Sequence, residues 1–401
     1  MKLGVYGGTF DPPHLGHMVS AKQALEALEL DRLLIVPAAI PPHKALPQGA
    51  PSAAQRLEMT LLAVDTLLLP HRVEVSGMEL DREGPSYTSD TLRILHQEHP
   101  QDELWLLMGS DMFLSLHQWH EPETICALAH IAVFARSDAD DRAALAAQAE
   151  RLEADFGAHS VVLDLPQVVE ISSTRIRSDL AGGKVPDYLP EPVYGYILRH
   201  GLYGVEADLK HLTIDQLRSC SLSMVYAKRH AHIRGVEEEA VRLARRWGAN
   251  EDHARRAGIL HDCTKYLNLR EQLAICEEYH LPLDELEREN DKLLHSKTGG
   301  ALAWGMYGQE EEVCRAIYWH TTGKPGMTVL EKIIYIADYM EPNRDFDGVE
   351  DLRRLAYEDL DAAVLLGLEM SAADLTRRGL VVHNNTRQAM EELREHRKGH
   401  G

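Results

Sequence analysis

Near residue 204 the chain changes rhythm, and that change constrains its fold more than any single motif does. Before it, short apolar runs alternate with longer amphipathic stretches. Residues 2–6, 32–36, 73–75, 104–108, 131–135 and 161–163 have the length and apolar content of strands. Residues 15–28, 53–68, 89–98 and 142–155 have helical length and spacing. Strands joined by helices of that size predict crossover units and a parallel sheet. After the change the strand signal disappears. Residues 235–248, 251–261, 269–279, 313–320, 330–340 and 352–368 predict helices only. The expected fold class is α/β, with a Rossmann-like doubly wound parallel sheet over 1–204, an acidic linker over 205–215 and an all-α domain over 216–401. The basic tail after Arg387 predicts a solvated, frayed helix.

Charge narrows the partners. The net charge is −21 and both halves are acidic, which disfavours non-specific nucleic-acid binding and anionic membrane surfaces. Cys126, Cys220, Cys263, Cys276 and Cys314 are odd in number, scattered and never in a C-x-x-C pair. That excludes a disulfide scaffold and a zinc ribbon, and fits a reducing cytoplasm. No 18-residue apolar stretch is present and the first residues lack a signal-peptide core, so a cytoplasmic protein is expected. Self-assembly into a homo-oligomer stays open.

The first site candidate comes directly after the first strand, in KLGVYGGTFDPPHLGH. Gly7 and Gly8 permit a sharp turn and a close backbone approach to a ligand. The free N–H groups at the next helix start favour an anion. His14 and His17, three apart, share a helix face and can donate to a phosphoryl oxygen as its charge grows. The plain alternative is a capped turn with two surface histidines. Further on, ISSTRIR (Ile171 to Arg177) puts cap residues Ser172, Ser173 and Thr174 beside Arg175 and Arg177. Cations in a first helical turn oppose the helix dipole, a conflict that a polyphosphate would resolve.

GGTFDPPHLGH and ISSTRIR together resemble the H-x-G-H nucleotidyltransferases. Residues 1–204 are similar, more narrowly, to bacterial nicotinate-nucleotide adenylyltransferases, through PPHK (Pro41 to Lys44), SYTSDTL (Ser86 to Leu92), GSDMFLSLHQW (Gly109 to Trp119) and VFAR (Val133 to Arg136). The resemblance implies ATP, accompanied by Mg2+, and nicotinate mononucleotide as substrates, with deamido-NAD and pyrophosphate as products. It implies that His14 and His17 hold phosphate, with Lys44 on the triphosphate and Ser173, Thr174 and Arg177 on the leaving pyrophosphate. Gly8, Thr9, Phe10, Asp111 and Arg136 would serve the nucleotide, and Thr88 and Trp119 the nicotinate ring. Another H-x-G-H transferase, acting on a phosphopantetheine or a cytidylyl group, is the competing reading.

The second half sets His232, His261–Asp262, His295, His320 and Asp338 inside or at the ends of apolar helical runs, where an unpaired charge is costly. Any one of these histidines alone reads as a satisfied core residue. Together they form a nitrogen and oxygen donor set suited to iron, manganese or a similar divalent ion. The order H…HD…H…H…D resembles the HD-domain metallohydrolases. HTTGKPGM and the stretch from Ala337 to Ala363 are similar to the symmetrical diadenosine tetraphosphate hydrolases among them, over about residues 217–387. That resemblance implies two divalent metals, iron in both positions, and hydrolysis of diadenosine tetraphosphate to two ADP. It places His232, His261, Asp262 and Asp338 on one metal and Asp262, His295 and His320 on the other. Lys265, Thr321, Thr322 and Arg344 become phosphate-binding candidates. An HD phosphodiesterase of other specificity, and a catalytically silent nucleotide sensor, are the alternatives.

Overall fold

A computed structural model describes residues 1–42, 45–134, 141–163, 171–185 and 187–398. The chain divides into two compact units, Met1–Glu206 and Ala207–Gly401.

The first unit is a six-stranded parallel sheet: β1 (Lys2–Gly8), β2 (Arg32–Pro37), β3 (Val73–Val75), β4 (Glu103–Gly109), β5 (His130–Phe134) and β6 (Ser160–Leu163). The strand order is β3-β2-β1-β4-β5-β6, with Val5 of β1 paired to Leu34 of β2 and Leu106 of β4. Helices cross over between strands: α1 (Leu15–Ala27), α2 (Ala53–Asp65), α3 (Thr88–Glu98), α4 (Ser110–Ser115), α5 (Pro122–Leu128), α6 (Arg142–Phe156), α7 (Ser173–Ala181) and α8 (Glu191–His200). Residues 104–108 of β4 are all buried, as a central strand covered on both faces must be. Chain direction across the sheet reverses between β1 and β4. Ligands bind such sheets at this switch point, beyond the carboxyl ends of the strands. Here those ends are Gly8 and Gly109. The doubly wound sheet is the one that the apolar runs predict, with β1 running two residues further.

The second unit is helical: α9 (Ile214–Leu222), α10 (His230–Trp247), α11 (Glu251–Leu260), α12 (Leu269–Glu278), α13 (Glu285–Arg288), α14 (Asp291–Gly305), α15 (Glu311–Trp319), α16 (Val329–Met340), α17 (Val349–Glu358), α18 (Leu360–Arg377) and α19 (Asn384–Lys398). Two glycines let its central helices touch. A Cβ on Gly258 would meet the Glu237 backbone at 2.9 Å, and one on Gly300 the Cys314 carbonyl at 2.9 Å. These contacts press α11 on α10 and α14 on α15.

Three expectations are corrected. The single helix expected over 352–368 is two, because Asp359 is extended and its carboxylate caps α18 by accepting the Ala362 N–H at 2.9 Å. The tail is not frayed through 398: α19 buries Ala389, Met390 and Leu393, and Thr386 donates to the Thr322 carbonyl at 2.7 Å. Within the span expected to be a linker, residues 209–211 form a 3-10 turn and α9 begins at Ile214. No helix among the described residues is long and apolar enough to cross a membrane. All five cysteines are buried and free.

Two candidate active sites

In the first unit the loop after β1 is held by its carbonyls. Arg56, fully buried on α2, donates to the carbonyls of Thr9 (2.8 Å), Ala38 (2.6 Å) and Ala39 (2.9 Å). Burial pulls its guanidinium below the usual arginine range, and Asp11 works against that shift. A carbonyl turned inward turns the N–H of the same peptide outward. The Ala39 and Ile40 amides accordingly donate to Ser86 Oγ at 3.0 and 3.2 Å, and the Phe10 N–H faces away from Arg56. Gly8 packs against the Phe10 ring, where a Cβ would stand at 3.0 Å, whereas the Cβ position of Gly7 is open.

His14 is the N-cap of α1, and its backbone N–H donates to His17 Nδ1 at 3.2 Å. A neutral imidazole that accepts at Nδ1 carries its proton on Nε2. The bond therefore makes Nε2 of His17 a donor. The two histidine rings lie 3.7 Å apart and the Phe10 ring packs edge-on to His17 at 5.0 Å, which fixes its orientation.

In the same loop, Asp11 is 2% exposed. Its carboxylate accepts the Tyr203 hydroxyl at 2.8 Å and faces Arg177 at 3.5 Å. Arg177 also donates to the Asp11 carbonyl (2.6 Å) and to Thr174 Oγ1 (3.2 Å), and Ser173 donates to the Pro12 carbonyl at 3.1 Å. The start of α7 is thus bonded to the loop after β1. Arg175 is not: it is solvent-exposed and pairs with Asp179 at 2.9 Å. Within the protein, Asp179 and Asp11 face the two cations of this turn. Tyr203→Phe should leave a buried carboxylate short of a donor and destabilise the first unit by about 1–3 kcal/mol. Denaturant unfolding of the two proteins checks this, and equal midpoints would show that the hydroxyl contributes nothing.

Thr88 opens α3 beside Tyr87, whose ring stacks on His120 at 4.1 Å. Trp119 lies next to His120 on the other segment, half-buried against the β4 core, with Nε1 donating to Ser115 Oγ at 3.3 Å. Thr88 and Trp119 therefore flank one contact. Asp111 is exposed in the first turn of α4, at the end of β4. Lys44 and Arg136 lie outside the described residues.

In the second unit four histidines and two aspartates converge. α11 ends at Leu260, and His261 and Asp262 leave it in a turn that lets both face inward. Asp262 Oδ2 lies 3.5 Å from His261 Nε2 and 3.9 Å from His232 Nε2. Its Oδ1 lies 3.2 Å from His295 Nε2 and 3.7 Å from His320 Nε2. Asp338 Oδ1 completes the first group, 3.0 Å from His232 Nε2 and 3.9 Å from His261 Nε2. One carboxylate thus stands between two clusters, His232–His261–Asp262 and Asp262–His295–His320.

The outer nitrogens show what the inner ones are for. Nδ1 of His261, His295 and His320 each lies 2.7 Å from a carbonyl, of Gly258, Lys292 and Ile317. A carbonyl only accepts, so each Nδ1 carries a proton, and in the neutral imidazole that leaves Nε2 as the nitrogen able to bind a cation. Glu341 holds Nδ1 of His232 in the same way at 3.0 Å. The Nε2 atoms of His232 and His261 are 3.2 Å apart, and those of His295 and His320 are 3.1 Å apart. Each pair of Nε2 atoms is close enough, beside the oxygens of Asp262, to share one bound cation. The donor set fits two divalent ions, with the carbonyl and carboxylate partners orienting the rings.

Electrostatics agree. Burial raises the Asp262 carboxyl, but His261 and Lys265 outweigh it and hold it well below the usual range. Burial, helped by Lys265, pulls His295 down to about 4, so it is neutral. Burial disfavours a charged His232, yet Asp338 and Glu341 bring its net shift upward. Three cations border the carboxylates. Arg229 Nε reaches Asp262 Oδ2 at 2.6 Å, Lys265 Nζ reaches Asp262 Oδ1 at 3.2 Å, and Arg344 reaches Asp338 at 3.0 Å. Thr321 Oγ1 lies 3.4 Å from Nε2 of both His295 and His320. Thr322 instead gives its hydroxyl to the Gly323 carbonyl at 2.9 Å.

A third group, Asp284, Glu287 and His383, is an ion-paired tie. His383 Nδ1 accepts the Asn385 N–H at 3.1 Å, so its Nε2–H donates to Asp284 at 2.8 Å, and Lys297 already neutralises Glu287 at 2.7 Å. Sequence reasoning missed five residues of the two sites: Asp11, Arg56, Tyr203, Arg229 and Glu341. The spacing of Arg229 three before His232, and of Glu341 three after Asp338, is the signal available for two of them.

Comparison with known proteins matches residues 5–179 to a cytidylyltransferase-like family and residues 229–343 to the HD domain. A probable nicotinate-nucleotide adenylyltransferase of Thermus thermophilus is 44% identical over 205 residues, covering 51% of this chain and 100% of the relative. A Synechococcus protein of the same description is 40% identical, covering 50% of this chain and 94% of its own. Among solved structures, a predicted HD superfamily hydrolase involved in NAD metabolism from Clostridium acetobutylicum is 38% identical, covering 46% of this chain and 98% of that one, with a TM-score of 0.45.

Proposed function

Since the chain belongs, through its first half, to the nicotinate-nucleotide adenylyltransferase family and carries an HD domain in its second, we propose that it is a bifunctional nucleotide enzyme. The first unit transfers the adenylyl group of ATP, accompanied by Mg2+, to nicotinate mononucleotide. The second unit hydrolyses diadenosine tetraphosphate to two ADP with two divalent metals, iron in this reading. A cytoplasmic location goes with these substrates.

The observation that carries the first activity is the fixed tautomer of His17 at the sheet's switch point. The phosphate of nicotinate mononucleotide attacks the α-phosphorus and pyrophosphate leaves, so no side-chain nucleophile is needed. His17 Nε2–H donates to the phosphoryl oxygens, with His14 beside it. Ser173 and Arg177, already bonded to the loop, and Thr174 beside them hold the leaving pyrophosphate, and Lys44 is proposed to reach the triphosphate. Gly8, Thr9 and Phe10 supply the backbone cradle, and Asp111 and Arg136 the nucleotide side. Thr88 and Trp119 take the nicotinate ring, Trp119 by stacking.

For the second activity, His232, His261, Asp262 and Asp338 would hold one ion, and Asp262, His295 and His320 the other. Bound there, the ions supply Lewis acidity that draws charge from phosphoryl oxygens and acidifies a water. The chain's own part is orientation. Carbonyls fix the imidazoles, Asp262 sets the spacing, and Lys265, Arg344 and Thr321 meet the phosphate oxygens. Thr322 supports the same turn.

The test is an assay of the purified full chain against ATP with nicotinate mononucleotide, and separately against diadenosine tetraphosphate, beside its metal content. Deamido-NAD with pyrophosphate from the first, and ADP as sole product from the second, are expected. A metal-free protein that still cleaves the tetraphosphate in chelator would end the metallohydrolase reading. The nicotinate nucleotide should also be preferred over the nicotinamide one. A carboxylate accepts from backbone N–H groups near Thr88, and an amide nitrogen cannot. Mispairing a buried polar group costs ~1–3 kcal/mol, or about fivefold in rate at the least. Equal rates on both nucleotides would overturn that pocket.

A further inference from the structure

Two exposed tyrosines lie close in the chain to the cations that reach Asp262. Tyr226 is 54% exposed and Tyr266 is 37% exposed, whereas Tyr307 and Tyr335 of the same unit are buried at 0% and 4%. Their rings meet edge to face, 4.5 Å between centroids. Lys228 Nζ lies 5.5 Å from one ring and 5.6 Å from the other. Water-facing aromatic surface of this size, gathered in one place, gains free energy when a flat apolar ligand covers it.

The position of the pair says which ligand. Tyr226 begins the 3-10 turn that ends in Arg229, and its carbonyl accepts the Arg229 N–H at 2.8 Å. Tyr266 is the residue directly after Lys265 in the turn that leaves α11. Arg229 and Lys265 are the cations that reach the two oxygens of Asp262. Each turn therefore carries one ring outward and one cation inward to the shared carboxylate. A ligand that matches both features has a planar base at one end and a phosphate chain at the other. Stacking on an aromatic ring suits any base, and a purine offers the larger face.

We propose that Tyr226 and Tyr266, with Lys228, form the platform on which a purine base of the second unit's substrate stacks while its phosphates lie at the Asp262 cluster. This rests on the phosphohydrolase reading above and adds its specificity: the enzyme takes nucleotides, and base-free polyphosphates bind without the platform. The tyrosines position the substrate and take no part in the chemistry.

The test uses the full chain with its bound metal. Tyr226→Ala and Tyr266→Ala should each raise KM for diadenosine tetraphosphate by about tenfold, as loss of a base stack does, with kcat within about threefold. The inhibition constant of inorganic tripolyphosphate, which has no base, should not move. Tyr226→Phe and Tyr266→Phe should restore the parent KM. Photolabelling with 8-azidoadenosine 5′-diphosphate should mark the peptide holding Tyr226 or Tyr266. A KM that does not move, a tripolyphosphate constant that rises in step with KM, or labelling of the second unit elsewhere only would overturn the platform. A parent that is labelled at the tyrosines but leaves diadenosine tetraphosphate intact would instead remove that substrate and keep the platform.

Discussion

Asp262→Ala is expected to abolish hydrolysis by the HD unit and to strip it of both metal ions. Each oxygen of this carboxylate faces a different pair of histidines, so its removal opens both positions at once. It also leaves Arg229 and Lys265 beside a buried cluster without their nearest anion. Removing one partner of a buried ion pair costs about 3–5 kcal/mol, so the melting temperature of the second unit should fall as well. His320→Ala should weaken only the position it shares with His295. Adenylyl transfer should persist in both variants, since the first compact unit has its own core. Elemental analysis of metal per chain, read beside the two activities, decides the matter. Parent-like metal content in Asp262→Ala would sink the shared-carboxylate assignment.

His17→Ala should lower adenylyl transfer by about 10²–10³-fold, the usual cost of removing one pre-aimed donor to a transition-state oxygen. The effect should fall mainly on kcat. In the proposed roles, Arg177, Ser173 and Thr174 would still hold the phosphates of the ground state, whereas the Nε2 donor is worth most when charge develops. Hydrolysis in the second unit should be unchanged. Steady-state rates on both substrate pairs measure this, and a loss of only a few-fold would show that His17 merely caps its helix.

Much of this architecture was legible in the sequence for a physical reason. Central parallel strands are buried on both faces, so they appear as unbroken apolar runs such as residues 104–108. The helix α14 was illegible for the converse reason. Residues 294–303 are all buried, so it has no polar face to give a period, and its paired glycines argue against a helix. The break at Asp359 did carry a signal, an aspartate placed to cap the helix that starts at Leu360. Among site residues, histidines and the His261–Asp262 pair announce themselves, while their supports do not. Arg56 looks like one more surface cation, although it stands on the same face of α2 as Met59, Thr60 and Ala63, all buried. Tyr203 and Asp11 meet only because the chain returns to its beginning, which no local pattern records.

That return sets the order in which the molecule becomes competent. The donors that satisfy the first loop, Ser173, Arg177 and Tyr203, lie 161, 166 and 192 residues beyond their partners. At ribosomal rates of about 5–20 residues per second, Asp11 waits roughly 10–40 s for the tyrosine that pairs with it. A nascent chain interrupted before residue 203 already holds both histidines, yet its buried Asp11 carboxylate lacks the Tyr203 hydroxyl that donates to it. The bonds that complete this loop therefore form late, near the end of the first unit's own translation.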